Sequence, residues 1–116
     1  NAHGSATQQN DAFETALVRR LFGERARSVP VSSSKSIFGH LLGASGAAEV
    51  AATIAGMRGG FLPPTINLEN PDPQLDLDYV PNLAREAEIR TALSLSFGFG
   101  ARNAALVLRD AGGLDD

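Results

Sequence analysis

The sequence contains no cysteine, and only two histidines, His3 and His40, occur among its 116 residues. The absence of cysteine excludes disulfide bonds and thiolate metal sites within this chain. Any thiol chemistry at a site that includes this chain must therefore be supplied by residues outside it. The absence also fits a reducing compartment, and we expect a cytoplasmic protein.

Long apolar runs are missing as well. No stretch approaches the roughly 20 residues that a membrane-spanning helix requires, and the N-terminus lacks the pattern of a signal peptide. The formal net charge is −3, and the Lys and Arg residues are scattered rather than clustered. Because nucleic-acid binding depends on concentrated positive charge, the sequence favours neither nucleic acid nor a membrane as a partner.

The composition is that of one globular domain, with 43% apolar residues. We predict a first helix over 11–22. Asp11 and Glu14 resemble a capping box, in which a side chain three residues into the helix returns to its start. The apolar residues behind it recur at helical spacing: Phe13, Leu17 and Leu21.

The next segments predict a short strand and a second helix. Residues 28–34 are β-branched at two positions and indicate a buried strand, although Pro30 is unfavourable inside a sheet. Residues 40–58 are apolar almost all round, so we expect a helix that is buried on most sides. Three glycines at spacings of four and three would allow close approach of a backbone or ligand on one of its faces: Gly39, Gly43 and Gly46.

The remainder of the chain predicts an extended connection and a hairpin. Residues 62–82 carry five prolines and favour a long connection without a helix. Residues 91–96 and 103–109 indicate two strands around a glycine-aromatic turn. The tail over 111–116 is predicted to be disordered. This α/β pattern contains too few strands for a complete sheet, and the abrupt start at Asn1 indicates a piece of a larger protein.

Three side chains are candidates for chemistry, and each also has a purely structural interpretation. His3 and His40 could each satisfy nearby backbone groups. Lys35 could be a solvated surface residue, or it could fix the charge state of the two imidazoles. The histidines lack a carboxylate pattern that would indicate zinc, and the segment GHLLGASG lacks the ending of a phosphate loop. These residues by themselves indicate only half of a site.

Four motifs resemble the C-terminal part of the β-ketoacyl-acyl-carrier-protein synthases, the condensing enzymes of fatty acid and polyketide synthesis. They occur in one order over nearly the whole chain: NAHGSAT, SSSKSIFGHLLGASGAAE, PPTINLENPDPQLDLDYVPN and SFGFGARN. The first looks closest to ketosynthase subunits of type II aromatic polyketide systems, and the last is more similar to the fatty acid enzyme. The resemblance implies that residues 1–110 form the C-terminal half of a thiolase-like fold, a layered α/β structure incomplete on its own.

The resemblance also implies roles for the polar residues. His3 and His40 match the two catalytic histidines, which donate hydrogen bonds to the malonyl thioester oxygen and stabilise the enolate that decarboxylation leaves. Lys35 matches the motif lysine, which in the family pairs with a glutamate that we match to Glu14. Ser5 and Thr7 match hydroxyls that bind the pantetheine arm.

The turn at residues 97–100 matches the gating and oxyanion segment of the family. Phe99 resembles the gating phenylalanine beside the acyl cysteine, with Phe97 and Gly98 in the same segment. The family's second glycine after this turn is replaced by Ala101, which we expect to stiffen the turn and alter acyl selectivity.

By resemblance, the chain acts in decarboxylative Claisen condensation of an acyl thioester with malonyl-acyl-carrier protein. The expected partners are an N-terminal half that carries the nucleophilic cysteine, the acyl carrier protein and a second ketosynthase subunit. No metal or separate cofactor is expected, since phosphopantetheine on the carrier holds the substrates. Without the cysteine, this segment alone should be inactive. Two alternatives are a non-catalytic partner of the chain-length-factor type and a thiolase; a thiolase would carry a cysteine in this half.

Overall fold

The structure is a computed structural model that describes residues 1–112 of the chain. These residues form both helices and strands. The helices are α1 (Gln8–Phe22), α2 (Lys35–Phe38) and α3 (Ser45–Gly59). The strands are β1 (Phe61–Leu62), β2 (Arg85–Glu86), β3 (Thr91–Phe97) and β4 (Asn103–Arg109). Short 3₁₀ turns lie at Gly23–Ser28, Leu42–Ala44 and Phe99–Ala101. Residues 113–116 of the predicted tail lie outside the described part.

The hairpin of β3 and β4 confirms the two strands predicted at the end of the chain. The strands are antiparallel, with Thr91 opposite Arg109 and Phe97 opposite Asn103. Asn1 extends this small sheet on the other side of β3. Its amino group donates to the carbonyl of Leu93 (2.7 Å), and its own carbonyl accepts from the amide of Leu95 (2.9 Å). The first residues of the chain are thereby held beside the last strands.

Helix α1 confirms the predicted first helix but begins three residues earlier. The hydroxyl of Thr7 caps its start by accepting from the Asn10 amide at 3.2 Å, as an N-cap threonine does. The capping box predicted for Asp11 and Glu14 is wrong, because the Glu14 carboxylate accepts hydrogen bonds from the loop before the helix. The helix ends at Gly23, whose φ of +56° suits glycine.

The side of α1 that packs against the rest of the chain is not the apolar side predicted from the sequence. Its buried residues are Glu14, Thr15 and Val18, while Phe13 and Leu21 are more than half exposed. Val18 belongs to a small core with Ala26 and Leu77, against which Val31 and Tyr79 also pack. The helix therefore buries two polar residues, Glu14 and Thr15, beside Val18, and leaves Phe13 and Leu21 on its outer side.

The strand predicted over 28–34 is wrong. Residues 23–28 form a 3₁₀ turn, and a single bridge joins Pro30 to Asp78. The amide of Val31 donates to the Asp78 carbonyl at 2.7 Å, but no ladder extends from this bond. Proline has no amide hydrogen to donate, which explains why a continuous strand does not form here.

The second helix starts later than predicted and is buried on one side only. Leu42 has a φ of +50°, a left-handed conformation that an α-helix cannot contain. Helix α3 therefore begins at Ser45, and His40 lies in the preceding loop. Packed against β1 and β3, α3 buries a mainly polar stripe: Ser45, Glu49, Thr53 and Gly56. No atom lies within 4 Å of a Cβ built on Gly39, Gly43 or Gly46, so no close approach to these glycines occurs within the described residues.

The connection over 62–82 contains no helix, as predicted. It is fixed by isolated hydrogen bonds, including Thr65 amide to Val80 carbonyl at 2.9 Å. The Asn82 side chain closes the loop by accepting from the Leu68 amide (3.0 Å) and donating to the Leu68 carbonyl (2.8 Å). Asp76 joins the loop to α1 and the following turn through Arg19 and Arg27, whose hydrogen bonds lower the pKa of the Asp76 carboxyl to about 2.

Within residues 1–112, the helices fall short of the length and hydropathy that crossing a bilayer requires.

Candidate active site

The fold brings both histidines and the lysine together, although they come from three different segments. The imidazole rings of His3 and His40 lie nearly perpendicular, with 5.6 Å between their centroids. The Lys35 ammonium lies 3.4 Å from Nδ1 of His3. The cluster of candidate residues in the sequence therefore corresponds to one place in the structure.

The backbone of the His3 loop is held by Glu14. One carboxylate oxygen accepts from the His3 amide at 2.6 Å and the other from the Gly4 amide at 2.9 Å. Gly4 has a φ of +45°, and a Cβ at this position would lie 2.3 Å from the Ser33 hydroxyl. Glycine is thus required here both by conformation and by space.

The His3 ring has a defined tautomer. Its Nδ1 accepts a hydrogen bond from the Phe97 amide at 3.2 Å. An amide can only donate, so Nδ1 carries no proton and the neutral ring is protonated at Nε2. Burial, and then the positive charge of Lys35, lower the pKa of His3 below its ordinary value of about 6.5. The ring is therefore neutral near pH 7, with Nε2–H as its donor.

Lys35 forms an ion pair with Glu49, and the pairing predicted with Glu14 is wrong. Both partners are buried, and the Glu49 side chain is fully inaccessible. Among the described residues, Oε2 of Glu49 has no hydrogen-bond partner. Sequence reasoning missed Glu49, although it is the only acidic residue of the apolar segment 40–58. That isolation was the available signal, since a buried carboxylate in such a helix requires a cation.

Asn1 ties the elements of the site together. Its side-chain amide donates to the Ser34 hydroxyl (3.0 Å), the Glu49 carbonyl (2.9 Å) and the Thr53 hydroxyl (3.0 Å). These bonds connect the start of α2 with α3, while the Asn1 backbone pairs with β3. The role of Asn1 was also missed, because its partners lie far away in the sequence.

His40 has the same tautomer in a different setting. Its side chain is exposed, and its Nδ1 accepts from the Leu42 amide at 3.0 Å. The Ser45 hydroxyl lies 3.1 Å from the same nitrogen. By the argument used for His3, the neutral ring carries its proton on Nε2. The two adjacent imidazoles therefore each present an Nε2–H donor.

The predicted gating segment is only partly in contact with the histidines. The Phe97 ring packs against His3 with 5.4 Å between centroids, and Phe13 packs against Phe97 at 5.9 Å. The Phe99 side chain is 97% exposed. Gly98 closes the turn by donating to the Arg102 carbonyl at 2.9 Å. Ala101 adopts a φ of +59°, unusual for a residue with a side chain.

A cavity of about 460 Å³ opens beside these residues. Its lining includes the polar residues Ser5, Lys35 and His40 as well as Leu77 and Tyr79. The predicted substrate-binding hydroxyls of Ser5 and Thr7 lie next to His3 in the chain, 3.5 Å from each other. Among residues 1–112, no group of three or more His, Asp or Glu side chains is placed to hold a metal ion.

Comparison with known proteins agrees with the geometry. Residues 1–69 match the family model described as the β-ketoacyl synthase, C-terminal domain. The chain is 55% identical over 112 residues to the oxytetracycline polyketide putative β-ketoacyl synthase 1 of Streptomyces rimosus, covering 97% of this chain and 26% of the relative. It is 51% identical over 108 residues to 3-oxoacyl-[acyl-carrier-protein] synthase 2 of Coxiella burnetii, covering 93% and 26%. The chain thus spans about a quarter of the length of these curated relatives.

The solved structures that this chain resembles are also ketosynthases. A type II polyketide ketosynthase in complex with its acyl-carrier protein and bound to the hexaketide (AntDE:AntF) superposes with a TM-score of 0.91 at 42% identity, covering 94% of this chain and 27% of that chain. The ishigamide ketosynthase/chain length factor also gives a TM-score of 0.91, at 38% identity, covering 97% and 27%. The predicted fold, an incomplete portion of a thiolase-like ketosynthase, is confirmed. The chain belongs to the β-ketoacyl synthase family, of which it contains the C-terminal domain.

Proposed function

We propose that this chain forms the decarboxylation half of a ketosynthase active site. In the complete protein, an acyl chain is held as a thioester on a cysteine supplied by the N-terminal half. Malonyl-acyl-carrier protein then binds, and its malonyl group is decarboxylated beside His3 and His40. The resulting carbon nucleophile attacks the acyl thioester.

The observation that carries this proposal is the shared tautomer of the two neighbouring imidazoles. Backbone amides occupy Nδ1 of both rings, at 3.2 Å in His3 and 3.0 Å in His40. Each neutral ring therefore carries its proton on Nε2, and the ring centroids lie 5.6 Å apart, which supports two neighbouring donors for one substrate oxygen. A neutral ring suits this role, since it donates a hydrogen bond without having to transfer a proton.

The chemistry follows from these donors. When the malonyl carbon–carbon bond breaks, carbon dioxide leaves and the electron pair moves into an enolate whose negative charge lies on the thioester oxygen. Two Nε2–H groups stabilise that charge, each contributing about 3 kcal/mol to the transition state if well aligned. The enolate carbon then bonds to the acyl carbonyl carbon, and the cysteine thiolate is released.

Lys35, Glu49 and Glu14 support this site without touching the reacting atoms. The buried Lys35–Glu49 pair places a positive charge beside Nδ1 of His3, which disfavours protonation of the ring. Glu14 fixes the loop backbone from which the ring projects. We therefore assign these three residues positioning roles rather than roles in proton transfer.

The substrate is proposed to arrive on the phosphopantetheine arm of an acyl carrier protein. The hydroxyls of Ser5 and Thr7, which follow His3 in the same loop and lie 3.5 Å apart, would bind this arm. Phe99, with its exposed side chain, would act as the gate beside the acyl cysteine, and its backbone amide would contribute to the oxyanion site. The amides of Phe97 and Gly98 are already used, by His3 and by the Arg102 carbonyl. The similarity to a ketosynthase that was solved with its acyl-carrier protein supports this choice of partner.

The remaining partners are the N-terminal ketosynthase half and a second ketosynthase-like subunit. The similarity to a ketosynthase/chain length factor pair supports such an assembly and also raises the alternative that this chain belongs to the non-catalytic subunit. Retention of His3, Lys35 and His40 favours the catalytic subunit. The residue at the nucleophile position of the complete protein separates the two, since only the catalytic subunit requires cysteine there.

The test is malonyl-carrier decarboxylation by the complete ketosynthase. His3→Ala and His40→Ala should each reduce the rate by roughly 10²- to 10³-fold, the usual cost of losing one donor to a developing oxyanion. Gln9→Ala, on the exposed side of α1, serves as the control and should leave the rate unchanged. Acyl transfer to the cysteine is measured separately. Unchanged decarboxylation in both histidine variants would refute the proposed function.

A further inference from the structure

We propose that Ser45 is a positioning residue for His40, whose Nδ1 receives the serine hydroxyl hydrogen so that Nε2–H is kept for the substrate oxygen. This inference rests on the proposed function. It assigns the serine in GHLLGASG a role in the reaction, rather than one in helix packing alone.

The direction of the hydrogen bond follows from the second donor at the same nitrogen. The Leu42 amide lies 3.0 Å from Nδ1 and can only donate. Nδ1 therefore presents its single lone pair, and the Ser45 hydroxyl at 3.1 Å donates to it as well, so that the two donors share one acceptor. With both bonds formed, the tautomer protonated at Nδ1 would lose two hydrogen bonds.

Burial makes Ser45 the more firmly fixed of the two donors. Its side chain is 2% exposed and lies in the first turn of α3. The same helix is anchored by Glu49, which pairs with Lys35 and accepts from Asn1 through its carbonyl. The other donor belongs to Leu42, an exposed residue in a left-handed conformation. Ser45 thus connects the exposed His40 ring to the rigid interior.

Donation to Nδ1 also affects the opposite side of the ring. Hydrogen bonds in a chain polarise one another, so a donor at Nδ1 strengthens Nε2–H as a donor. Removal of the hydroxyl should therefore weaken stabilisation of the enolate more than it weakens substrate binding. A residue that only packed the helix would change stability without changing this balance.

The experiment uses the complete ketosynthase with Ser45→Ala, Ser45→Thr and the control Ser94→Ala, which removes another buried hydroxyl, on β3. Ser45→Ala should lower the turnover of malonyl decarboxylation by about fivefold, the effect of one modest hydrogen bond. The KM for malonyl carrier protein and the rate of acyl transfer should change less than about twofold. Ser45→Thr keeps the hydroxyl and should restore most of the turnover, and Ser94→Ala should match the wild type.

Nitrogen NMR of ¹⁵N-histidine-labelled protein gives a readout that does not depend on turnover. In the wild type, the His40 signals should be those of a ring protonated at Nε2 with a hydrogen-bonded Nδ1, and Ser45→Ala should shift the Nδ1 signal towards that of a freer nitrogen. Wild-type turnover and an unshifted Nδ1 signal in Ser45→Ala would overturn the inference. Failure of the proposed function would look different, because His40→Ala would then leave decarboxylation unchanged while the Nδ1 signal still responded to Ser45→Ala.

Discussion

The surroundings of His3 and His40 differ in burial, in the source of their hydrogen bonds and in the conformation of their loops. His3 is buried, and Phe97, 94 residues away in sequence, donates to its ring. His40 is exposed, and its ring is held by residues two and five positions further along the chain. In the neutral form the two rings nevertheless have the same tautomer, with Nδ1 as the acceptor.

The difference separates the consequences of mutation around the two rings. The environment of His3 is part of the fold, so changes there should cost stability together with activity. The environment of His40 is local, so changes there should alter activity with little effect on stability. The following predictions test that contrast on the complete protein, from the largest expected effect to the smallest.

The largest effect should come from Lys35→Met, on the His3 side. The change leaves the fully buried carboxylate of Glu49 without its cation, and breaking such a buried pair costs about 3–5 kcal/mol. Urea denaturation measures the loss of unfolding free energy. The double variant Lys35→Met/Glu49→Leu should recover much of it, since neither charge then remains buried. A loss below about 1 kcal/mol in the single variant would contradict the importance of the pair.

Gly4→Ala should have the next largest effect. Its φ is +45° and the new methyl group would meet the Ser33 side chain at 2.3 Å, so we expect a loss of about 2–3 kcal/mol and slower decarboxylation. Gly60→Ala is the control for conformation alone, since Gly60 has a φ of +69° in the left-handed helical region but no atom within 4 Å of the added carbon. The control variant should lose only the free energy of placing alanine in a left-handed conformation, about 1 kcal/mol. Equal losses in thermal denaturation would show that space at Gly4 is unimportant.

A smaller effect should appear as a dependence of stability on pH. Because burial lowers the pKa of His3, the folded protein resists protonation more than the unfolded chain, whose value is about 6.5. The stability that the neutral His3 ring contributes is therefore fully present above pH 6.5. It is lost as the pH falls from 6.5 towards the lower pKa of His3 in the folded protein. Melting temperatures between pH 7.5 and pH 5 should therefore fall, and less steeply in His3→Asn. The same slope in both proteins would argue against a buried neutral His3.

The smallest effect is expected from Leu42→Gly, on the His40 side. Leu42 has a φ of +50°, so glycine should relieve backbone strain and raise stability by roughly 0.5–1 kcal/mol. Leu41→Gly is the control, because Leu41 has an ordinary φ of −88° and should lose stability. Thermal denaturation compares the two. A loss in Leu42→Gly would mean that the side chain contributes more than its conformation costs.

Local patterns predicted the elements that depend on local interactions. The hairpin of β3 and β4 and most of α1 were predicted correctly, because strand alternation and helix spacing act over a few residues. The start of α3 and the strand at 28–34 were wrong, because Leu42 adopts a left-handed conformation and Pro30 interrupts pairing. The assumption that apolar helix faces point inwards also failed. This chain spans about a quarter of its relatives' length, and its helices leave much of their apolar surface exposed.

The candidate site was predicted only partly, because several of its contacts join residues that are distant in sequence. His3, His40 and Lys35 were found from motifs, whereas Glu49 and Asn1 act through partners that the sequence does not place nearby. Glu14 was identified but given the wrong contact, since its carboxylate reaches backwards to the amides of His3 and Gly4. Such contacts depend on the path of the whole chain and not on spacing.

The hydrogen bonds between the first and last segments also determine when the site can form. Asn1 pairs with Leu93 and His3 with Phe97, so both bonds close loops of more than 90 residues. Contacts between such distant residues form slowly in folding, because the entropy of closing the loop is lost before the contact stabilises anything. The orientation of His3 is therefore among the last features to be established as the chain is synthesised, whereas the turn that holds His40 can form while β3 is still in the ribosome.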